Sequence, residues 1–191
     1  MEVVELAIPE VKLISVRRFA DDRGYFSETF NAGSFESAGV DCGFVQDNQS
    51  YSRYAGTVRG LHYQSPPHAQ DKLVRVTRGR ILDVAVDVRV GSPSYGRWVA
   101  AELSDETGDQ LFIPKGFLHG FVTREDDTVV QYKVSAYYSP ECDGAVLWSD
   151  PDLAIDWEVE RDLAVLSEKD TKAPRWAEFQ SPFKYASEAV V

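Results

Sequence analysis

The chain has 191 residues, ordinarily one domain, and its 43% hydrophobic and 12% aromatic content is that of a globular protein rich in strand formers. Its 31 acidic against 20 basic residues give a net charge of -11, so it lacks the basic face that phosphate binding along a duplex needs, and nucleic acid is not an expected partner. No apolar run approaches the roughly 18 residues of a membrane span, and MEVVELAIPEVKLI, acidic and broken by Glu5 and Glu10, lacks the basic flank of a signal peptide. Cys42 and Cys142 are too few for a disulfide scaffold and stand off metal-ligand spacing, so a cytoplasmic protein with reduced thiols is expected.

Short strand-like runs divided by turn residues follow one another along the chain. VKLISVRRF (11–19) predicts a strand ending at the turn DDRG (21–24), and YFSETF (25–30) a second with alternating aromatics. NAGSFESAG (31–39) predicts a short helix. GTVRGLHYQSPPHAQDKLVRV (56–76) reads as a strand and a return strand carrying ionisable groups into a cavity. ILDVAVDVRV (81–90) has the clearest alternation: Leu82, Val84, Val86 and Val88 share one face, and Asp83, Asp87 and Arg89 the other, which the pattern assigns to solvent. RWVAAELS, QLFIP, GFLHGFVT and TVVQYKVSAYY continue the series between DETGD, PKG and EDD, and the tail beyond Asp162 has a helical look. With no repeat and no linker, residues 1–191 are expected to form a single all-β domain, a sandwich or jelly roll with short peripheral helices.

Histidines on the strands of a small barrel raise the question of a metal. A metal-binding cupin presents two histidines at i and i+2, a carboxylate soon after, and another histidine from a P-x-G-x-x-H turn. Pro114, Gly116 and His119 match that turn, but the first strand reads His62-Tyr63-Gln64 and lacks its second imidazole. His68, the third histidine of the chain, sits beside Pro66 and Pro67 in an apparent loop. A cupin barrel, that is, a double-stranded β-helix, without a bound metal is therefore expected. For His119, a hydrogen-bonded core histidine and a substrate contact are equal alternatives.

His62 suits proton abstraction, because imidazole titrates near neutrality, if a carboxylate orients it. Strict alternation puts Gly60, His62 and Gln64 on one face with Arg59 and Leu61 opposite, but a bulge at Gly60 would turn Arg59 into the same cavity. If Ser65 to Asp71 form the connection, Lys72 begins the return strand level with His62, where a lysine could stabilise an oxyanion; taken alone it is a solvated strand-end lysine. Val130, Tyr132, Val134, Ala136 and Tyr138 share parity, which would give tyrosine walls near a ligand or, more ordinarily, core tyrosines. LSEKD (166–170) fits a capping box with Ser167 as cap and Asp170 at N3, and on the residues alone that structural role is preferred. Neither G-x-x-x-x-G-K-[ST] nor G-x-G-x-x-G occurs, so any phosphate would rest on side chains such as Arg23, Arg59 and Lys72. The absence of G-x-S-x-G disfavours a serine hydrolase.

In this order, DDRGYFSETF, FVQDNQS, RGLHYQSPP with AQDKLVRV, DVAVDVRVGSPSYGRW, IPKGFLHGF, YKVSAYYSP and LSEKD resemble the dTDP-4-dehydrorhamnose 3,5-epimerase family from about residue 8 to 175. The resemblance implies a jelly-roll homodimer that exchanges N-terminal strands and uses no metal and no cofactor. Its substrate would be dTDP-4-dehydro-6-deoxy-D-glucose and its product dTDP-4-dehydro-L-rhamnose. By the same resemblance His62 would be the base, Tyr132 the proton donor on the opposite face of the sugar, Asp170 the carboxylate that orients His62, and Lys72 the stabiliser of the enolate oxygen at C4. Arg23, Glu28, Gln46, Asn48, Arg59, His119, Asp143 and Lys169 would contact the nucleotide sugar, with Tyr138 against thymine or sugar. Gln49 stands where the family often has histidine, and Asp143 where a glutamate is usual. A metal-dependent cupin oxygenase or isomerase, a non-catalytic sugar-nucleotide binding domain and an epimerase acting at one carbon are the alternatives; the match at Tyr132, Lys72 and His119 favours inversion at both carbons.

Overall fold

The structure, a computed structural model, describes residues 1–40 and 43–186, which leaves Cys42 outside the described residues. The chain opens with β1 (Glu2–Glu5), β2 (Lys12–Ser15) and the hairpin β3 (Phe19–Asp21) and β4 (Gly24–Phe26). Helix α1 (Ala32–Ser37) follows, then β5 (Gln46–Ser52), β6 (Val58–Gln64), β7 (Lys72–Arg78), β8 (Arg80–Asp87) and β9 (Arg89–Val90). β10 (Trp98–Ser104), β11 (Gln110–Ile113), β12 (Phe117–Thr123), β13 (Thr128–Val134) and β14 (Asp143–Ala145) complete the body. Near the end lie α2 (Glu168–Thr171) and β15 (Phe183–Lys184).

Two antiparallel sheets face each other, ordered β1-β2-β11-β7-β13-β5 and β10-β8-β12-β6-β14, which is the cupin-type jelly roll. Ile81, Ala85, Val99, Leu103, Phe117 and Phe121 of the five-stranded sheet meet Val74, Val76, Leu111, Ile113 and Val130 of the six-stranded sheet in the core between them. The outer face of the five-stranded sheet is also dry. Val84, Val86, Val88, Leu118 and Val122 pack there under Trp148, Leu153, Trp157 and Phe183 from the C-terminal segment. α1 begins where the Asn31 side chain accepts a hydrogen bond from the Ser34 amide, and it buries Phe35 against Ile14, Leu73 and Phe112 on the outer face of the six-stranded sheet.

Several expectations are corrected. Asp83 and Asp87 are 0% exposed, not solvated. The apolar face of β8 looks outward beneath the C-terminal segment, so Asp83 shares the inward phase with Ile81 and Ala85. Asp87 is held at the strand end by Arg89, Ser92 and Ser94. β6 and β7 do not pair as strand and return strand, because residues 65–71 cross from one sheet to the other. YFSETF yields strand only to Phe26, the tyrosine-rich strand stops at Val134, and the helical content of the tail among the described residues is α2 and two 3-10 turns, Arg161–Leu163 and Trp176–Glu178.

The bulge that Gly60 permits is present. His119 pairs with His62 but Phe121 pairs with Arg59, so β6 carries one residue more than β12 over that stretch. Gly60 has φ +145°, and a Cβ there would stand 2.5 Å from Gly120 Cα, so only glycine lets the two backbones approach. The extra residue brings Arg59 and His62, three positions apart, to the same cavity.

Candidate active site

One end of the space between the sheets opens as a cavity of about 500 Å³, within the range of small-molecule sites. Arg59, His62, Lys72, His119, Tyr132, Tyr138, Asp143, Lys169 and Asp170 line it, together with Ser50, Tyr63, Phe121 and Val165 to Ser167. His62 and His119 lie side by side on paired strands of the five-stranded sheet, and Lys72 and Tyr132 come from neighbouring strands of the sheet opposite.

His62 Nε2 lies 2.5 Å from Asp170 Oδ1, with Asp170 only 2% exposed. Two links bring that carboxylate there from the far end of the chain. Residues 56–58 and Val165 form a parallel bridge with amide-carbonyl bonds of 2.9 Å, and α2 follows directly. The Ser167 hydroxyl then accepts from the Asp170 amide at 3.1 Å and donates to Asp170 Oδ2 at 2.8 Å. Capping and orienting are thus both present at Asp170, since its amide is capped while its side chain holds the imidazole. Burial alone would raise the Asp170 pKa, but the bonds from His62 and Ser167 and the nearby Lys169 charge hold it below the usual carboxylate value. An ionised Asp170 accepts the Nε2 hydrogen, leaving His62 Nδ1 as the nitrogen able to take a proton.

Lys72, 9% exposed, has its Nζ 3.5 Å from His119 Nδ1, and His119 Nε2 lies 2.6 Å from Asp83 Oδ1. Burial pulls the Lys72 pKa down to about 8 against the opposing charges of Asp83 and Asp143. Burial likewise lowers the His119 pKa, outweighing Asp83, so this imidazole is neutral at pH 7. Burial raises the Tyr132 phenol, opposed by Arg59, which keeps it protonated and able to donate. Arg59 is fixed by Ser52 Oγ at 3.2 Å and the Tyr51 carbonyl at 2.9 Å.

At the rim Asp143 bonds Lys169 Nζ and accepts from the Tyr138 hydroxyl at 3.4 Å, while Gln46 accepts from the Tyr138 amide at 3.1 Å and donates to Asn48 at 2.8 Å. Gln46 therefore supports the loop that carries Tyr138 rather than lining the cavity. Arg23 and Glu28 are not brought in: Arg23 is 90% exposed on the β3–β4 hairpin beside Asp21, and Glu28 lies in a separate hollow with Met1, Arg17 and Phe19. Ser50, not singled out in the sequence, lines the cavity with a buried Oγ that has no hydrogen-bond partner. Asp83 was misplaced by the alternation, and its signal was the company of Ile81 and Ala85 on the same phase. Among the described residues no three His, Cys, Asp or Glu side chains cluster as metal ligands.

The sequence model described as dTDP-4-dehydrorhamnose 3,5-epimerase matches residues 5–178. The chain belongs to that family. The Sinorhizobium fredii dTDP-4-dehydrorhamnose 3,5-epimerase is 56% identical over 180 residues, covering 94% of this chain and 92% of that one. The crystal structure of the Legionella pneumophila dTDP-6-deoxy-D-glucose-3,5-epimerase in complex with dTDP-4-keto-L-rhamnose superimposes with a TM-score of 0.92 at 41% identity, covering 97% of this chain and 99% of that chain. A 3'-monoepimerase from Streptomyces bikiniensis, in complex with dTDP-quinovose, has a TM-score of 0.83 at 35% identity, over 91% and 87% of the two chains. The family therefore includes enzymes described as acting at two carbons and one described as acting at one.

Proposed function

We propose that the protein is an isomerase that inverts C3 and C5 of dTDP-4-dehydro-6-deoxy-D-glucose and yields dTDP-4-dehydro-L-rhamnose. One observation carries the reading: an imidazole oriented by a buried carboxylate and a protonated phenol enter one cavity from opposite sheets, with a buried lysine at the start of β7 beside them. The hydrogens flanking a ketone become removable once the enolate oxygen is stabilised. His62 Nδ1 takes such a hydrogen, the Lys72 ammonium meets the oxygen at C4, and Tyr132 returns a proton to the other face, so that the carbon is inverted. Arg59 meets the diphosphate through its guanidinium fork, while Tyr138, Asp143 and Lys169 hold the nucleotide end at the rim.

Incubation with dTDP-4-dehydro-6-deoxy-D-glucose in deuterium oxide containing EDTA, followed by NMR of the reduced product, tests this. Deuterium at both C3 and C5 with the L configuration is the expected result. Label and inversion at one carbon only would make the protein a mono-epimerase, the second reading that the Streptomyces bikiniensis relative favours. Activity lost to EDTA and restored by a divalent ion would overturn the metal-free mechanism.

The working unit is read as a homodimer. Phe19, Tyr25 and Phe26 of the β3–β4 hairpin are 51%, 58% and 70% exposed, and Arg23 and Glu28 lie beside this arm, away from the chain's own cavity. An arm with three exposed aromatics is suited to packing on a second copy, and doing so would bring Arg23 and Glu28 to that copy's nucleotide. Light scattering is expected to give twice the chain mass, and a monomer at assay concentration would sink this assignment.

A further inference from the structure

We propose that Asp83 is a positioning residue for this reaction, acting through His119 to hold Lys72 as a charged, aimed ammonium. It touches no substrate. Asp83 is 0% exposed, does not line the cavity, and meets it only through the imidazole 2.6 Å away.

An ionised carboxylate can only accept, so the hydrogen on His119 sits on Nε2, and its Nδ1 lone pair is left facing the Lys72 ammonium at 3.5 Å. The opposite tautomer would point an N–H at the ammonium. Asp83 therefore fixes which ring nitrogen the lysine meets. A neutral imidazole between carboxylate and ammonium also differs from a direct ion pair. One ammonium hydrogen is directed to Nδ1 and two stay available for an oxygen in the cavity.

The charge of Asp83 has few other uses. Its second oxygen, Oδ2, is buried with no hydrogen-bond partner. The other carboxylate acting on Lys72 is Asp143 on β14, and that one is bonded by Lys169 of α2. Lys72 meets the neutral His119 of β12, and the other walls of the cavity carry His62 of β6, which is paired with Asp170, Tyr132 of β13, and Arg59. Asp83 is thus the opposing charge with no cationic partner of its own, and it is the larger of the two carboxylate influences that keep the buried lysine protonated.

The inference rests on the reading that Lys72 stabilises the enolate, and its test separates the two. The pH dependence of kcat and KM is measured for the wild type, Asp83→Asn and Lys72→Met. Asn keeps the shape and an acceptor oxygen for Nε2–H but removes the charge, so the alkaline limb of kcat is expected to fall by roughly one pH unit. At pH 8 the variant then turns over about fivefold more slowly, near pH 6 the two enzymes converge, and KM stays within about threefold, because a charge-state effect vanishes where both lysines are protonated. A loss that is uniform across pH, with the alkaline limb unmoved, would make Asp83 merely structural and overturn the proposal. If Lys72→Met keeps wild-type turnover, the role of the lysine itself fails and the proposal falls with it. Should Asp83→Asn not fold, His119→Gln cuts the chain one link nearer. Lysine-selective 15N NMR is then expected to show Lys72 titrating below its wild-type position, and an unchanged titration overturns the inference.

Discussion

Replacing His62 with alanine is expected to abolish exchange of the substrate's C3 and C5 hydrogens with solvent and to cut turnover by about a thousandfold or more. The size follows from the lack of a substitute. His119 is engaged by Asp83 on one nitrogen and Lys72 on the other and is held neutral by burial, and His68 lies in the connection between β6 and β7. Asp170, still bonded to Ser167, lies behind the missing ring, a ring's width from where the imidazole met the substrate. Deuterium wash-in at both carbons, followed by NMR in excess enzyme, reads the result directly. Exchange at the wild-type rate would mean that another group abstracts the proton.

Tyr132→Phe is expected to behave differently, and the contrast is the sharper test of a two-sided site. The ring stays, with its packing against the core between the sheets, and only the hydroxyl is lost. Abstraction by His62 and enolate stabilisation by Lys72 continue, so exchange should stay within about tenfold of wild type while formation of inverted product falls about a hundredfold. Protonation then returns to the face from which the hydrogen left. An equal loss of exchange and inversion would instead place Tyr132 in the abstraction step itself, or in the shape of the cavity.

Much of this was legible in the residues, and what was not has physical reasons. Glycine at position 60 permitted a bulge, which the structure shows with φ +145° against the Gly120 backbone, and the P-x-G-x-x-H turn singled out His119. Alternation along β8 found the strand but inverted its faces. The rule that the polar face is wet presumes a sheet with one solvated side, and here Trp148, Trp157 and Phe183 cover the outer side. The same inversion hid Asp83. Lys72 was read level with His62 on a hairpin, whereas the jelly roll sends the chain across to the other sheet, something no local pattern encodes. Locally Asp170 offered only a capping signal, and its place behind His62 came from the family likeness, since that contact is with a partner 108 positions away. Arg23 and Glu28 had no local signal beyond the family likeness, and within one chain they stay clear of the cavity.

That separation of 108 positions between base and orienting carboxylate has a consequence for how activity arrives. All the strands of the two main sheets are complete by Ala145, and the cavity walls that carry His62, Lys72, His119 and Tyr132 belong to them. The imidazole nevertheless has no carboxylate behind it until the chain has run on past β14, returned along residues 56–58 at Val165 and closed the turn at Ser167. The sheets and the group that orients the imidazole are therefore supplied by separate stretches of the chain. The α2 segment acts as a clasp, and a single cut in the exposed stretch around Glu160 to Leu163 is expected to loosen the carboxylate proposed to direct His62.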